Sequence, residues 1–143
     1  MEIVIAIIVG VVIWYVLKAK KAVNETNINP ALSNDSYSYN IVGEQSYQNN
    51  LKKIAGPKEE ESKFFECYAK VSSEPFNQYD KNAVKVEING LLVGYLSRGE
   101  AAKLAGRVIN KTVPAVIDGG WLDDDGEGSY GVKLAITNTN NLL

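Results

Sequence analysis

The sequence predicts a mainly β fold with two helices (α+β class), a small and partly open β-barrel that follows one apolar N-terminal helix. Three observations predict it: an apolar run from Ile3 to Leu17, several short stretches in which apolar and polar residues alternate, and only two stretches with helical spacing. A parallel α/β sheet would need a helix at nearly every crossover, so the scarcity of helices favours a small barrel.

The apolar run predicts a transmembrane anchor over residues 1–21. Its residues 3–17 would span about 22 Å of a hydrocarbon core of about 30 Å, and lysines at 18, 20 and 21 follow it. A cleaved signal peptide would carry positive charges before the run, whereas Glu2 stands there, and a buried core helix is the other alternative. The lysines predict a single-pass protein that contacts the lipid bilayer through residues 3–17 and places its domain in the cytoplasm.

Beyond the anchor, the sequence divides into a linker, a domain and a tail. Residues 22–38 are rich in Asn, Ser and Thr, lack periodicity and are typical of a flexible polar linker. Residues 39–137 contain the recurring apolar patterns of one domain, and residues 138–143 form a short C-terminal tail.

The elements of the domain are predicted in the order β-α-β-β-β-α-β-β. Helical spacing occurs around Tyr47 to Ile54, with Ser46 as a candidate N-cap, and between Arg98 and Asn110, where Ala101, Leu104, Ala105 and Val108 would share one face. Alternation or apolar runs predict strands at 64–71, 84–88, 91–96, 113–117 and 132–136. Asn89-Gly90 predicts a tight hairpin, and the acidic stretch Asp123–Glu127 predicts a second hairpin turn.

Composition excludes most enzyme chemistry. The chain has no histidine and a single cysteine, Cys67, whose alternation with core positions favours an inert buried thiol. Cys/His metal sites and histidine-based catalysis are therefore absent, and the sequence predicts no enzyme, no metal and no cofactor. Fifteen basic and seventeen acidic residues predict no global attraction to polyanions, so such a partner would have to be met locally.

One loop carries the identification: Ser73-Glu74-Pro75-Phe76-Asn77-Gln78-Tyr79-Asp80-Lys81-Asn82-Ala83-Val84-Lys85-Val86. It resembles the signature of the HIRAN domain, in which Glu-Pro, Asn, Tyr-Asp, Asn-Ala and a Val-x-Val strand share this spacing. Upstream, Ile41 to Gln48 resembles the opening strand and helix start of that family. Downstream, Val93 to Arg98 resembles its hairpin return. The chain is thus similar to a single-domain, membrane-anchored HIRAN member, which we expect to be bacterial.

The resemblance implies an OB-like barrel that captures the free 3′ end of single-stranded DNA. Carried over by position, Tyr79 would stack on a base and Asp80 would accept a hydrogen bond from the terminal hydroxyl. Tyr47 and Trp121 match weaker aromatic positions, and Lys81 and Arg98 would approach phosphates. The implied partners are single-stranded DNA and possible companion proteins such as a helicase or nuclease.

Simpler interpretations stay open for these residues. Asp80 could cap a turn in its Asn/Asp-rich loop, Tyr79 could form the rim of the core, and Trp121 could close one barrel end. The alternative function is a membrane-tethered protein-interaction module without nucleic-acid binding. A basic groove around Tyr79 would favour the first function, and an acidic or apolar loop face would favour the second.

Overall fold

The computed structural model describes residues 36–143, in which two long strands form the centre of the sheet. Strand β2 (Lys63–Ser73) pairs antiparallel with β5 (Asn110–Gly119) along almost its whole length. Four further strands complete a six-stranded antiparallel sheet in the order β1-β8-β5-β2-β3-β4; they are β1 (Tyr39–Asn40), β3 (Val84–Ile88), β4 (Leu91–Tyr95) and β8 (Tyr130–Leu134). The mainly β prediction is confirmed.

The core lies on one face of this curled sheet. Side chains alternate across a strand, so Ala69 and Val71 of β2 point inward together with their cross-strand partners, Val113 on β5 and Val86 on β3. All four are buried, and Leu51 of the first helix is fully buried in the same cluster. The alternation read from the sequence therefore identifies the buried face correctly at Ala69 and Val71, whereas Phe65, on the same predicted face of β2, is 38% exposed.

The two edges of the sheet meet through a single bridge. Val42, just after β1, pairs with Tyr95 at the end of β4: the Val42 N–H donates to the Tyr95 carbonyl at 2.8 Å, and the Tyr95 N–H donates to the Val42 carbonyl at 2.9 Å. Gly94 permits this approach, since a Cβ there would lie 2.7 Å from the Val42 oxygen. The sheet thus curls into a half-barrel.

The β3–β4 hairpin turns at Asn89-Gly90, as predicted. Asn89 has φ 52° and Gly90 has φ 77°, the positive values that a two-residue hairpin loop requires. The acidic stretch also forms a hairpin, with β6 (Leu122–Asp123) paired to β7 (Gly126–Glu127). Both turn predictions are therefore confirmed.

The first helix starts differently from the prediction. A 3-10 turn (Glu44–Tyr47) leads into α1 (Gln48–Ala55), and Ser46 lies inside that turn, so it is not the N-cap. Gln48 instead fixes the helix to β8: its Nε2 donates to the Tyr130 carbonyl at 2.9 Å, and its Oε1 accepts from the Tyr130 N–H at 2.8 Å. This paired contact, made across the fold, replaces a local cap.

The second helix is much shorter than predicted. Helix α2 covers Arg98–Ala102, capped by Ser97, whose Oγ accepts from the Glu100 N–H at 3.2 Å. Gly106 has φ 79°, which no continuing helix allows, and Val108 is 92% exposed instead of facing the core. The predicted helix to Asn110 is wrong because residues beyond Gly106 turn into β5.

The packed chain extends beyond the predicted domain limits of 39 and 137. Tyr37 is buried, and its hydroxyl donates to Glu66 Oε2 at 2.6 Å. At the other end, a 3-10 helix (Thr139–Leu142) inserts Leu142 into the core. The last residues of the predicted linker and the predicted tail therefore belong to the fold.

The predicted transmembrane helix, residues 1–21, lies outside the described residues, as does most of the predicted linker. Within residues 36–143, no helix has the length and apolar character needed to cross a membrane. The anchor and the cytoplasmic orientation accordingly stay predictions from the sequence.

Candidate nucleic-acid interface

The loop between β2 and β3, residues 74–83, is folded by its own polar side chains. Asn77 Oδ1 accepts from the N–H groups of Tyr79 at 2.9 Å and Asp80 at 3.0 Å, and Asn77 Nδ2 donates to Glu74 Oε1 at 2.6 Å. At the base, the Glu74 N–H donates to the Ala83 carbonyl at 2.8 Å. These side-chain turns are the reason that Asn and Asp suit this segment, and they hold Tyr79 outward.

Aromatic side chains from three elements surround one surface cavity of about 520 Å³, which we call the aromatic cavity. Tyr79 and Phe76 come from the loop, Tyr47 from the 3-10 turn and Tyr95 from the end of β4. The rings of Tyr47 and Tyr95 have centroids 6.5 Å apart and planes inclined by 49°. Tyr79 is 79% exposed and Phe76 98% exposed, so both rings are accessible from solvent.

Glu74 is the carboxylate of the aromatic cavity. It lines the cavity beside Tyr95, whose hydroxyl donates to Glu74 Oε1 at 3.2 Å. Burial, followed by the Glu74 charge, raises the pKa of Tyr95 to about 12. Tyr95 therefore stays a protonated donor at neutral pH, and Glu74 is held in place as a hydrogen-bond acceptor.

Asp80 lies next to the cavity but does not line it. Its Oδ1 accepts from the Asn82 N–H at 2.9 Å, which is the turn-capping interaction considered from the sequence. Its Oδ2 lies 3.6 Å from Arg98 Nε, and Arg98 Nη2 donates to the Tyr79 carbonyl at 3.1 Å. Asp80 and Arg98 thus brace the backbone that carries Tyr79.

Lys81 and Trp121 lie away from the aromatic cavity. Lys81 lines a different surface depression, together with residues 104–110. Trp121 sits at the base of the acidic hairpin, where its carbonyl accepts from the Gly128 N–H at 2.9 Å and its indole covers Gly128 so closely that a Cβ there would clash. The fold brings Tyr47 and Tyr79 together but leaves these two predicted residues elsewhere.

The sequence prediction omitted Glu74, Phe76 and Tyr95. All three belong to motifs quoted for the HIRAN resemblance, so the motifs identified the right segments. The missing signal was spatial: Tyr95 pairs with Lys85 across the β3–β4 hairpin and so comes to lie beside the loop. Alternation along β4 alone does not show which distant loop its last residue contacts.

Comparisons with known proteins give no further assignment. No protein-family model matches this chain, and no curated protein and no solved structure matches it. The HIRAN resemblance therefore rests on the sequence motifs alone.

Proposed function

We propose that this protein binds single-stranded nucleic acid, with a terminal nucleotide in the aromatic cavity. The observation that carries the proposal is the grouping of four aromatic side chains around one open cavity, with Phe76 98% and Tyr79 79% exposed. Exposed aromatic rings are costly on a monomer surface, and nucleobases are flat partners that stack on them without sequence preference. We further propose that the half-barrel is an OB-like, HIRAN-like module tethered at the inner face of a membrane.

Recognition of a 3′ end requires an acceptor for the terminal hydroxyl, and two carboxylates are candidates. Glu74 lines the cavity and already accepts hydrogen bonds from Asn77 and Tyr95 on one oxygen. Asp80, the residue predicted from the family, is engaged by the Asn82 N–H and by Arg98. We favour Glu74 because it lines the cavity, whereas Asp80 does not.

Charge limits the strength of binding. Arg98 is paired with Asp80, and Glu74 adds a negative charge within the cavity, so phosphates gain little there. A negatively charged cavity instead disfavours a terminal phosphate and tolerates a terminal hydroxyl. This difference supports selection of a free end over a phosphorylated end.

Binding should be measured by fluorescence anisotropy on the full-length chain in a non-ionic detergent. The probes are 5′-labelled oligothymidylates of ten nucleotides that end in a 3′-hydroxyl or a 3′-phosphate. We expect tighter binding of the hydroxyl end. Equal affinities would refute end recognition, and the absence of binding to either would refute the nucleic-acid function.

Single substitutions, each with a matched control or alternative, test the role of each residue in binding. Tyr79→Ala should weaken binding about 5- to 150-fold, the range expected for one stacked base, whereas Tyr68→Ala, on the exposed side of β2 and outside the cavity, should leave it unchanged. Glu74→Gln should remove the preference for the hydroxyl end. If Asp80→Asn removes it instead, Asp80 is the acceptor.

A second function, a protein-interaction module, is favoured by a different observation. Phe64, Phe65 and Tyr68 on β2 are all partly exposed, with Phe64 48% accessible. Phe64 and Tyr68 lie on the same face of β2 by alternation, and exposed aromatic side chains on one face are typical of protein interfaces. Loss of a partner in pull-downs with Phe64→Ser, together with no binding of any oligonucleotide, would favour this function.

A further inference from the structure

A second depression, on the other side of the loop at 74–83, has different chemistry. It encloses about 900 Å³ and lies between the start of β3, the end of β2 and the segment 104–110. Lys70, Lys81 and Arg107 line it together with the exposed Val108, and we call it the basic groove. Pro75 and Lys81 of the loop face this groove, while Phe76 and Tyr79 face the aromatic cavity.

The positive charges of the basic groove are not neutralised by the fold. The charged side chains of Lys70, Lys81 and Arg107 form no ion pair or hydrogen bond with any residue in the described part of the chain. None of the described residues that line the groove is acidic. The nearest carboxylate by register, Glu87 opposite Lys70, is held by Lys85 at 3.3 Å. Three cations therefore face one space, where each repels the others and an anion would be attracted by all of them.

Ser72 provides an independent observation in the same groove. Its side chain is more than nine-tenths buried and lines the groove, yet its hydroxyl makes no hydrogen bond within residues 36–143. Ser72 alternates with the core residue Val71, so it lies on the opposite face of β2, next to Lys70 by alternation. A buried hydroxyl without a partner is destabilising, and a small shift of the groove lining that let an acceptor oxygen reach it would relieve that cost.

We propose that the basic groove binds the phosphate group of a nucleotide or of a nucleic-acid backbone. Phosphate oxygens are strong acceptors that suit a cluster of lysine and arginine donors, and the Ser72 hydroxyl supplies a neutral donor beneath them. Val108, which is 92% exposed, gives a sugar or base an apolar surface to pack on. The groove is a site separate from the aromatic cavity, so its occupancy does not depend on Tyr79.

The test uses calorimetric titration of the full-length chain in a non-ionic detergent with pyrophosphate, with thymidine monophosphate and with unlabelled ten-nucleotide oligothymidylate. The groove variant is Lys81→Gln with Arg107→Gln. Its control is Lys52→Gln with Lys53→Gln, which removes the same charge from the exposed face of α1. We expect the groove variant to weaken phosphate binding at least tenfold and the control to leave it unchanged.

The three probes separate the sources of phosphate. Binding of pyrophosphate or the mononucleotide, lost in the groove variant, assigns the groove to free phosphorylated ligands. Binding of the oligonucleotide alone, with a salt dependence in the groove variant that is shallower by about 1.4 in log-log slope, assigns it to a strand backbone. If no probe distinguishes the groove variant from its control, the proposal is wrong.

Ser72→Ala gives a second readout that a purely structural role would not produce. Since the hydroxyl has no partner within the described residues, its removal should leave the melting temperature unchanged or raise it. Phosphate affinity should nevertheless fall severalfold. An unchanged affinity in this variant would remove Ser72 from the site, and unchanged affinities in both this and the groove variant would overturn the proposal.

Discussion

The Tyr95 hydroxyl donates a hydrogen bond to Glu74 Oε1 at 3.2 Å, and this contact joins the end of β4 to the first residue of the loop at 74–83. The same Glu74 oxygen accepts from Asn77, whose side chain organises the loop. Tyr95 also pairs through its backbone with Val42, where the sheet curls. One residue thus couples the curl of the sheet to the position of the aromatic cavity.

Tyr95→Phe tests this coupling. The variant keeps the ring but removes the donor to Glu74, so we expect a loss of about 1 kcal/mol in the free energy of unfolding, measured by urea denaturation. The loop should also become more accessible to proteolysis. Tyr68→Phe is the matched control, because no hydrogen bond from its hydroxyl to another described residue is present. Equal effects of the two substitutions would contradict a role for the Tyr95 hydroxyl.

The free energy of unfolding should fall at alkaline pH. Burial raises the pKa of Tyr95 to about 12 and that of Cys67 to about 12, and it raises the pKa of Tyr37 and of Tyr39 even further. The folded state therefore keeps these protons at pH values where the unfolded chain, with ordinary values near 9 and 10, has lost them.

Because the folded state keeps protons that the unfolded chain has lost, the free energy of unfolding decreases with rising pH. Stability from these groups is fully present below about pH 9 and decreases as the pH rises toward 12. Urea midpoints measured between pH 8 and pH 11 should drop, and Tyr95→Phe should make the decrease shallower. A constant midpoint across this range would contradict the raised pKa values.

Cys67 should react slowly with thiol reagents. With a pKa of about 12 in place of 9, its thiolate fraction at pH 8 is about a thousandfold lower than that of an ordinary thiol. Release of thionitrobenzoate from Ellman's reagent should be slow in the native chain and fast in guanidinium chloride. Rapid native reaction would show that the thiol is more accessible than its position on β2 indicates.

This inertness permits a test of the predicted membrane orientation with Cys67 left in place. Phe76→Cys introduces a thiol at a position that is 98% exposed. A membrane-impermeant maleimide should label this variant only after the cells are lysed, and the unsubstituted chain should show little labelling in either state. Labelling of the variant in intact cells would contradict the cytoplasmic orientation.

The sheet was predictable because its signals are local. Alternation of buried and exposed residues along β3 and over residues 68–71 of β2, and the Asn89-Gly90 turn, are properties of a few neighbouring residues. The second helix was not predictable to its end, since the Ser73 N–H donates to the Ile109 carbonyl at 2.9 Å and draws that segment into extended pairing. A contact between residues thirty-six positions apart does not alter the spacing of apolar residues that predicts a helix.

The residues of the candidate site also divide into those that local motifs predict and those that only the fold brings together. Tyr47 and Tyr79 were found from motifs, and the structure brings both to one cavity. The contribution of Glu74 depends on its bond to Tyr95, which exists only when β4 has paired with β3. Lys81 was assigned to the same site by its neighbourhood in sequence, but the turn at Asp80 sends it to the basic groove.

Two glycine substitutions test the turn that closes the β3–β4 hairpin. Gly90 has φ 77°, whereas Gly99 lies inside α2, and an added Cβ meets no atom within 4 Å at either position. The comparison therefore isolates backbone conformation from packing. Gly90→Ala should destabilise the fold by about 1 kcal/mol because an L-residue is strained in the left-handed region. Gly99→Ala should stabilise it by about 0.5–1 kcal/mol, since alanine loses less entropy in a helix. Opposite shifts of the thermal midpoint are the expected result, and a destabilisation of equal size in both variants would contradict the left-handed turn at Gly90.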